Sequence, residues 1–224
     1  MWVGGRSTSI NDMTKRWRQL ALWLHILSSA GWMAQAMTLC VLFSVGLATD
    51  AELVRDASTS MALAVDGRLV GPLANASALT GIVLAVATPW GLVRHWWVLA
   101  KFAITLVQLY LGIFLLSGAL EDAVQTGPST ANLVGAVLMA SAIAFQGWLS
   151  VAKPWGRVRT DRRTVGVTAP AWVFVATVLV GLADLAVALV IGGPMPLLSM
   201  ILLVTVLVTR RRWGTVRRVA ATAS

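Results

Sequence analysis

Apolar runs long enough to cross a membrane recur along the whole chain. A membrane-spanning helix needs about 20 mostly apolar residues, and several segments of this sequence meet that requirement. Hydrophobic residues make up 58% of the 224 residues, and charged residues make up only 12%. A soluble domain is about half apolar and roughly a quarter charged, so the excess apolar surface must face lipid. The sequence therefore predicts an all-α fold, a polytopic bundle of transmembrane helices.

The apolar runs predict six spans, of which the last is short. We place them at residues 20–47, 70–93, 97–120, 131–152, 172–191 and 196–208, and we expect the polar segment 48–69 to be a loop. The final apolar block, 169–208, is about twice as long as one span. Its middle holds a Gly-Gly-Pro turn signal at 192–194, so we predict a helical hairpin. Five spans and a re-entrant segment are the alternative.

The charges predict the orientation of the bundle. Sixteen of the 18 Lys and Arg fall in segments that six spans place on one side, and only Arg55 and Arg68 fall on the other. Because cytoplasmic loops collect Lys and Arg, we expect both termini to be cytoplasmic and the protein to lie in the inner (plasma) membrane. This divides the chain into a cytoplasmic tail (1–18), the bundle (19–209) and a basic cytoplasmic tail (210–224).

The first apolar run is too long for a secretory signal. Its length, residues 20–47, exceeds the roughly 7–15 apolar residues of a signal peptide. We therefore expect it to stay in the membrane as the first span. The net charge of +9 is explained by the loops beside the spans, and we expect no nucleic acid as a partner.

Asp184 is the residue that most suggests chemistry. It lies well inside the fifth predicted span. A carboxylate at bilayer depth costs at least about 2.5–3.5 kcal/mol on insertion scales, so the side chain should face the bundle. One hypothesis makes Asp184 a catalytic acid or a proton carrier. The alternative is a neutral carboxyl group that hydrogen-bonds a neighbouring helix, through Asn75 or Thr80.

A polar face on the first span gives the candidate substrate-binding residues. His25, Trp32 and Gln35 lie close to one face at helical spacing, and this face is predicted to look into the bundle. With Asn75 of the second span they form the predicted substrate-binding set. For His25, the alternatives are a metal or haem ligand, a proton relay, or a neutral imidazole in an interhelical hydrogen bond.

We expect no cofactor and no metal site. His95 is predicted at the membrane surface and His25 deeper, so the two cannot ligate one haem iron from opposite faces. Met33, Met37 and Cys40 recur at helical spacing and could hold Cu(I), but methionine is also a common filler of apolar packing. We interpret this stripe as packing.

Cations and aromatic residues are interleaved between the second and third spans. Arg94, His95, Trp96, Trp97 and Lys101 follow one another within eight residues. Tryptophan favours the membrane interface, and Lys and Arg attract anionic lipids. The sequence therefore predicts that this set contacts anionic headgroups on the inner face.

Two stretches carry a family resemblance. LHILSSAGW (24–32) and TPWGLVRHWWVLAK (88–101) resemble a large family of uncharacterised actinobacterial multi-pass membrane proteins. More remotely, the histidine followed by Gly-Trp in the first span is similar to copper-resistance D-type membrane proteins. The first resemblance implies a location and a fold and carries no assigned activity. The second would imply further metal ligands.

Three kinds of function agree with these features. The chain lacks the P-loop, HExxH and GxSxG motifs that mark common nucleotide-driven, zinc-protease and serine-hydrolase chemistry. A small accessory or scaffold subunit and a proton-coupled transporter are the first two hypotheses. The alternative is a membrane-embedded enzyme on a lipid or isoprenoid substrate, such as an acid-initiated terpene cyclase with Asp184 as general acid. The expected partners are the bilayer and either a second copy or another membrane subunit.

Overall fold

The computed structural model is an all-α helical bundle, as the apolar runs predict. It describes residues 5–88, 90–156, 158, 168–191, 193 and 196–222. The helices in these ranges are α1 (Gly5–Leu47), α2 (Glu52–Val65), α3 (Gly71–Ala87), α4 (Trp96–Leu111), α5 (Ser117–Thr126), α6 (Thr130–Ala152), α7 (Ala171–Ile191) and α8 (Leu197–Thr222). Helix α1 starts at Gly5 and α8 continues to Thr222, so helix extends through most of the two segments predicted as tails.

Two π-helical turns make continuous rods out of four of these helices. One, at Asp66–Val70, joins α2 to α3, and the other, at Gly112–Leu116, joins α4 to α5. The two turns are linked because Ser117 Oγ, just after the second, donates a hydrogen bond to Asp66 Oδ2 over 3.4 Å. π-helical turns are rare and mark local departures from regular helix, and nothing in the apolar pattern predicted them.

Five helical segments are long and apolar enough to cross a membrane. They are Asp12–Leu47, Glu52–Ala87, Trp96–Thr126, Thr130–Ala152 and Ala171–Ile191. The protein is therefore a membrane protein. The predicted spans 131–152 and 172–191 are confirmed to within a residue at each end. The last helix is apolar over Leu197–Arg210, too short to count with these five. The short sixth span and the re-entrant segment therefore both stay predictions.

The prediction that residues 48–69 form a loop is wrong. Helix α2 occupies most of this segment and buries one face, with Ala62 fully buried against a cluster that contains Leu39 and Phe43 of α1. Packing of that face, rather than local apolarity, stabilises a helix here. The second span also ends earlier than predicted, at Ala87.

Helix α1 is the central element, since it packs against α2, α3, α6 and α7. Close approach of two neighbours occurs at Gly46, where a Cβ atom would lie 2.7 Å from Pro128 Cγ and would also meet Ser58 Oγ. A glycine at this position lets α2 and the turn before α6 reach α1 together.

One end of the bundle collects the cations and the tryptophans, and we call it the basic end. Trp17 of α1 and Trp213 of α8 pack there against one apolar cluster that includes Ala87 of α3 and Ala169. The exposed tryptophans at this end are Trp23, Trp90, Trp96, Trp148, Trp155 and Trp172. This belt is typical of a membrane interface.

A glycine-to-alanine pair tests the packing around α1. We expect Gly46→Ala to lower the free energy of unfolding by about 1–3 kcal/mol, because overpacking forces neighbours apart. Gly118→Ala is the matched control, since a Cβ atom there meets no atom within 4 Å. Unfolding of the purified protein in mixed micelles measures both, and equal stability of the two variants would contradict the close approach.

Candidate functional site

Asp184 joins the interior of α7 to the beginning of α8. Its side chain is buried, and Oδ2 accepts two hydrogen bonds from Ser199, one from the backbone N–H at 2.9 Å and one from the hydroxyl at 2.5 Å. Ser199 is the third residue of α8. The first N–H groups of a helix have no partner within the helix, and lipid supplies no water to them. Asp184 therefore caps α8, where the helix dipole also favours a negative charge.

This contact sets the depth at which α8 begins. Asp184 lies seven residues before Ile191, the last residue of α7, and at about 1.5 Å per residue this corresponds to roughly 10 Å. The apolar part of α8, Leu197–Arg210, is about 21 Å long at the same rise, shorter than the roughly 30 Å of a bilayer core. The apolar part of α8 is short because the helix starts beside the interior of α7.

His25 joins α1 to α3. Its Nδ1 lies 3.1 Å from the Ser77 carbonyl oxygen and 3.1 Å from Thr80 Oγ1. A carbonyl oxygen only accepts, so Nδ1 carries a proton and donates in this contact. The interhelical hydrogen bond considered as an alternative for His25 is thus present. Thr80 is a hydrogen-bond partner of His25. Asp184 is hydrogen-bonded to Ser199 rather than to Thr80 or Asn75.

The α1–α3 contact is close because small side chains line it. Ser29 Oγ and Ser77 Oγ lie 2.7 Å apart and form a second hydrogen bond between the two helices. A Cβ atom at Gly81 would lie 2.9 Å from Cε1 of His25. The imidazole ring thus packs directly against the α3 backbone, as small residues allow in membrane helices.

The structure does not bring the predicted substrate-binding residues together around Asp184. Trp32 is buried and packs against Ala74 and Ile143 in an apolar cluster. Gln35 and Asn75 are both half-buried, and neither bonds to the Asp184 carboxylate, whose hydrogen-bond partner is Ser199. A substrate pocket formed by these residues stays a prediction that the geometry does not favour.

A line of polar side chains, which we call the polar seam, joins α4 to α6. It consists of Lys101, Thr105 and Gln108 on α4 and of Gln146 and Ser150 on α6. Thr105 Oγ1 donates to Gln146 Oε1 over 2.9 Å, and Gln146 Nε2 donates to Gln108 Oε1. Gln108 Nε2 in turn donates to the Met139 carbonyl oxygen over 3.2 Å. The seam ties two helices whose outer faces are apolar.

Lys101 belongs to this seam and not to the lipid-facing set in which the sequence placed it. Its Nζ donates to Ser150 Oγ over 2.5 Å, and the side chain is half-buried. Lys101 is the sixth residue of α4, which places its Cα about 7.5 Å along the helix, on the side that faces α6. The other four predicted headgroup residues remain at the basic end.

Those four residues form the start of α4 and the end of the loop before it, beside the loop that follows α6. The His95 ring lies 5.5 Å from the Trp90 ring and donates from Nδ1 to the Trp90 carbonyl oxygen over 2.9 Å. The Trp97 ring lies 5.6 Å from the same indole. The Trp96 N–H donates to the Gly156 carbonyl oxygen over 3.4 Å. Their contact with lipid headgroups stays a prediction.

The described part of the chain holds no group of three His, Cys, Asp or Glu side chains that could hold a metal ion together. Within the first span, Met33 and Cys40 pack against two different apolar clusters, and Met37 is exposed. These side chains act as packing groups in the structure.

No protein-family model, no curated protein and no solved structure matches this chain. Function is therefore inferred from the geometry.

The sequence pattern identified several polar residues of the bundle but not their hydrogen-bond partners. Ser199, Gln108 and Gln146 were not singled out, although Lys101, Thr105 and Gln108 recur at positions i, i+4 and i+7 of one helix face. That spacing of polar residues within an apolar span is a signal that would have found the seam. Asp66, in the first π-helical turn, meets Ser117, which directly follows the second.

A double-mutant cycle tests the cap on α8. We expect Asp184→Ala to lower the free energy of unfolding by about 1–3 kcal/mol, because it leaves the Ser199 donors unpaired in a dry site. Ser199→Ala removes only the hydroxyl donor and should cost about 1 kcal/mol. The double variant should be little worse than Asp184→Ala alone. Exposed Glu121→Ala is the control, and full additivity of the two single effects would contradict the contact.

A second cycle tests the polar seam. Interhelical hydrogen bonds in membrane proteins average about 0.6 kcal/mol, with a maximum of about 1.7 kcal/mol. We expect a coupling free energy in this range between Gln108→Leu and Gln146→Leu, measured by unfolding in mixed micelles. The pair Gln108→Leu with lipid-facing Leu138→Ala should show no coupling, and a zero value for the Gln108–Gln146 pair would refute the bond.

Proposed function

We propose that this protein is an accessory or scaffold subunit of a membrane assembly. The observation that carries the proposal is the double hydrogen bond from Ser199 to Asp184. The most conspicuous ionisable group of the bundle serves as the cap of a helix. A residue in this position holds the shape of the protein, which is what a scaffold needs.

Two other ionisable groups within the described spans support the same proposal. His25 joins α1 to α3, and Lys101 joins α4 to α6. With Asp184 between α7 and α8, each of these three side chains fastens one helix to another. Among the described side chains, every buried nitrogen and oxygen atom has a hydrogen-bond partner, as expected of groups that hold a structure together.

The two alternative functions, a proton-coupled transporter and a membrane-embedded enzyme, each place a further requirement on Asp184 besides capping a helix. A coupling carboxylate must exchange its proton and release its partners during each cycle, so α8 would have to move whenever Asp184 did. A general acid needs an apolar cavity that reaches it from the lipid. One apolar groove is lined by Trp96, Leu99, Ala100, Ala103 and Trp155, and Asp184 is not among its lining residues.

The orientation we propose places the basic end in the cytoplasm, with the protein in the plasma membrane. Trp17 and Trp213 pack at this same end, which supports an even number of passes with α8 as a shortened sixth. Lys and Arg concentrate there, as they do on the cytoplasmic side of membrane proteins. The partner of the scaffold is then another membrane subunit or a second copy.

Proton flux in vesicles separates the scaffold from the transporter. The wild type and Asp184→Asn are reconstituted into liposomes that contain a pH-sensitive dye, and a pH gradient is imposed. For a scaffold, we expect both to hold the gradient as well as protein-free liposomes. Faster decay with the wild type that Asp184→Asn abolishes, at equal insertion, would establish transport instead.

Native electrophoresis of gently solubilised source membranes tests the assembly itself. We expect the protein to migrate in a complex larger than its own 23.8 kDa. Asp184→Ala should reduce the complex in proportion to the loss of folded protein, whereas Glu121→Ala should not. Migration of the wild type as a monomer would contradict the scaffold proposal.

A further inference from the structure

An apolar groove opens at the basic end, beside the first two turns of α4. Its floor is formed by Leu99, Ala100 and Ala103, which lie with Trp96 on one face of the helix. Trp155, from the loop after α6, forms the opposite wall. The groove is open on one side and has a volume of about 490 Å³.

The wall of this groove is held in place by the backbone. Trp155 has a φ angle of 66° and Lys153 one of 45°, and both values lie in the left-handed region that non-glycine residues seldom adopt. Two backbone hydrogen bonds join this loop to the start of α4 and the residues before it. The Trp96 N–H donates to the Gly156 carbonyl oxygen, and the Val158 N–H donates to the Arg94 carbonyl oxygen over 3.0 Å. The surrounding contacts thus fix a strained turn, as happens at binding sites.

A cation lies close to the groove in the chain. Lys153 is exposed and precedes the wall residue Trp155 by two positions. Its Nζ lies 5.3 Å from the centre of the Trp90 ring, at the same end of the bundle.

We propose that this groove binds one anionic phospholipid, with an acyl chain along Leu99, Ala100 and Ala103 and the phosphate beside Lys153. A phospholipid matches the groove in two ways, by its apolar acyl chain and by the charge of its headgroup. The lining is apolar, so it fits a hydrocarbon chain, and the exposed ammonium of Lys153 near the wall residue Trp155 fits an anionic headgroup rather than a zwitterionic one. This inference is independent of the scaffold proposal, because either can hold without the other.

Native mass spectrometry of the detergent-purified protein tests the site with two defined lipids. Phosphatidylglycerol and phosphatidylcholine with the same acyl chains are titrated separately after delipidation. We expect one phosphatidylglycerol to bind in preference to phosphatidylcholine. Lys153→Gln should weaken phosphatidylglycerol binding about fivefold, given the usual contribution of one cation near a membrane surface, and should leave phosphatidylcholine binding unchanged. Lys15→Gln, an exposed cation on α1 at the same end, should change neither.

A second variant tests the acyl-chain position without touching any charge. Ala103→Trp fills the groove and should abolish retention of both lipids, whereas Ala144→Trp, at an exposed position of α6, should not. An unchanged unfolding midpoint shows that each variant is folded. Equal binding of the two lipids, or binding that survives Ala103→Trp, would overturn the proposal. A lipid-free dimer that Ala103→Trp dissociates would assign the groove to a second copy instead.

Discussion

The Asp184–Ser199 contact is the interaction on which the last third of the bundle depends. A helix that begins inside the membrane exposes N–H groups that lipid cannot satisfy, and a carboxylate inside the membrane is equally costly without donors. One contact removes both costs, because the Asp184 carboxyl group accepts hydrogen bonds from the Ser199 backbone N–H and hydroxyl. The start of α8 and the buried acid are therefore one structural feature, since each supplies the hydrogen-bond partner that the other lacks.

The spans were predictable because apolar length is a local property of the sequence. Residues 130–152 and 171–191 need no knowledge of their neighbours to be recognised. Helix α2 was not predictable in this way, because its buried face carries Ser58 and Thr59 beside Ala62, and only the packing of Ala62 against Leu39 and Phe43 reveals that face. The π-helical turns were also hidden, since a single extra residue in a turn leaves the composition unchanged.

The candidate site was predictable as a set of residues but not as a set of contacts. An ionisable group in an apolar span must face the bundle, so Asp184 and His25 could be found from the sequence. Their partners depend on helix register, which no apolar pattern specifies. Lys101 illustrates the same limit, because a cation near two tryptophans looks interfacial until the rotation of α4 turns it toward Ser150. Membrane interfaces and helix interfaces thus draw on the same side chains.

The distribution of the polar contacts bears on function. They join α1 to α3, α4 to α6 and α7 to α8, so they are spread over separate helix pairs and do not converge on one cavity. Transport and catalysis concentrate polar groups where a substrate passes, and intramembrane ionisable groups are functional by default for that reason. Here the hydrogen-bond partners of the intramembrane polar side chains belong to the same chain. A bundle fastened at separate points keeps its outer surface in a fixed shape, which favours a role carried out by that surface, toward lipid at the basic end and toward a partner within the membrane.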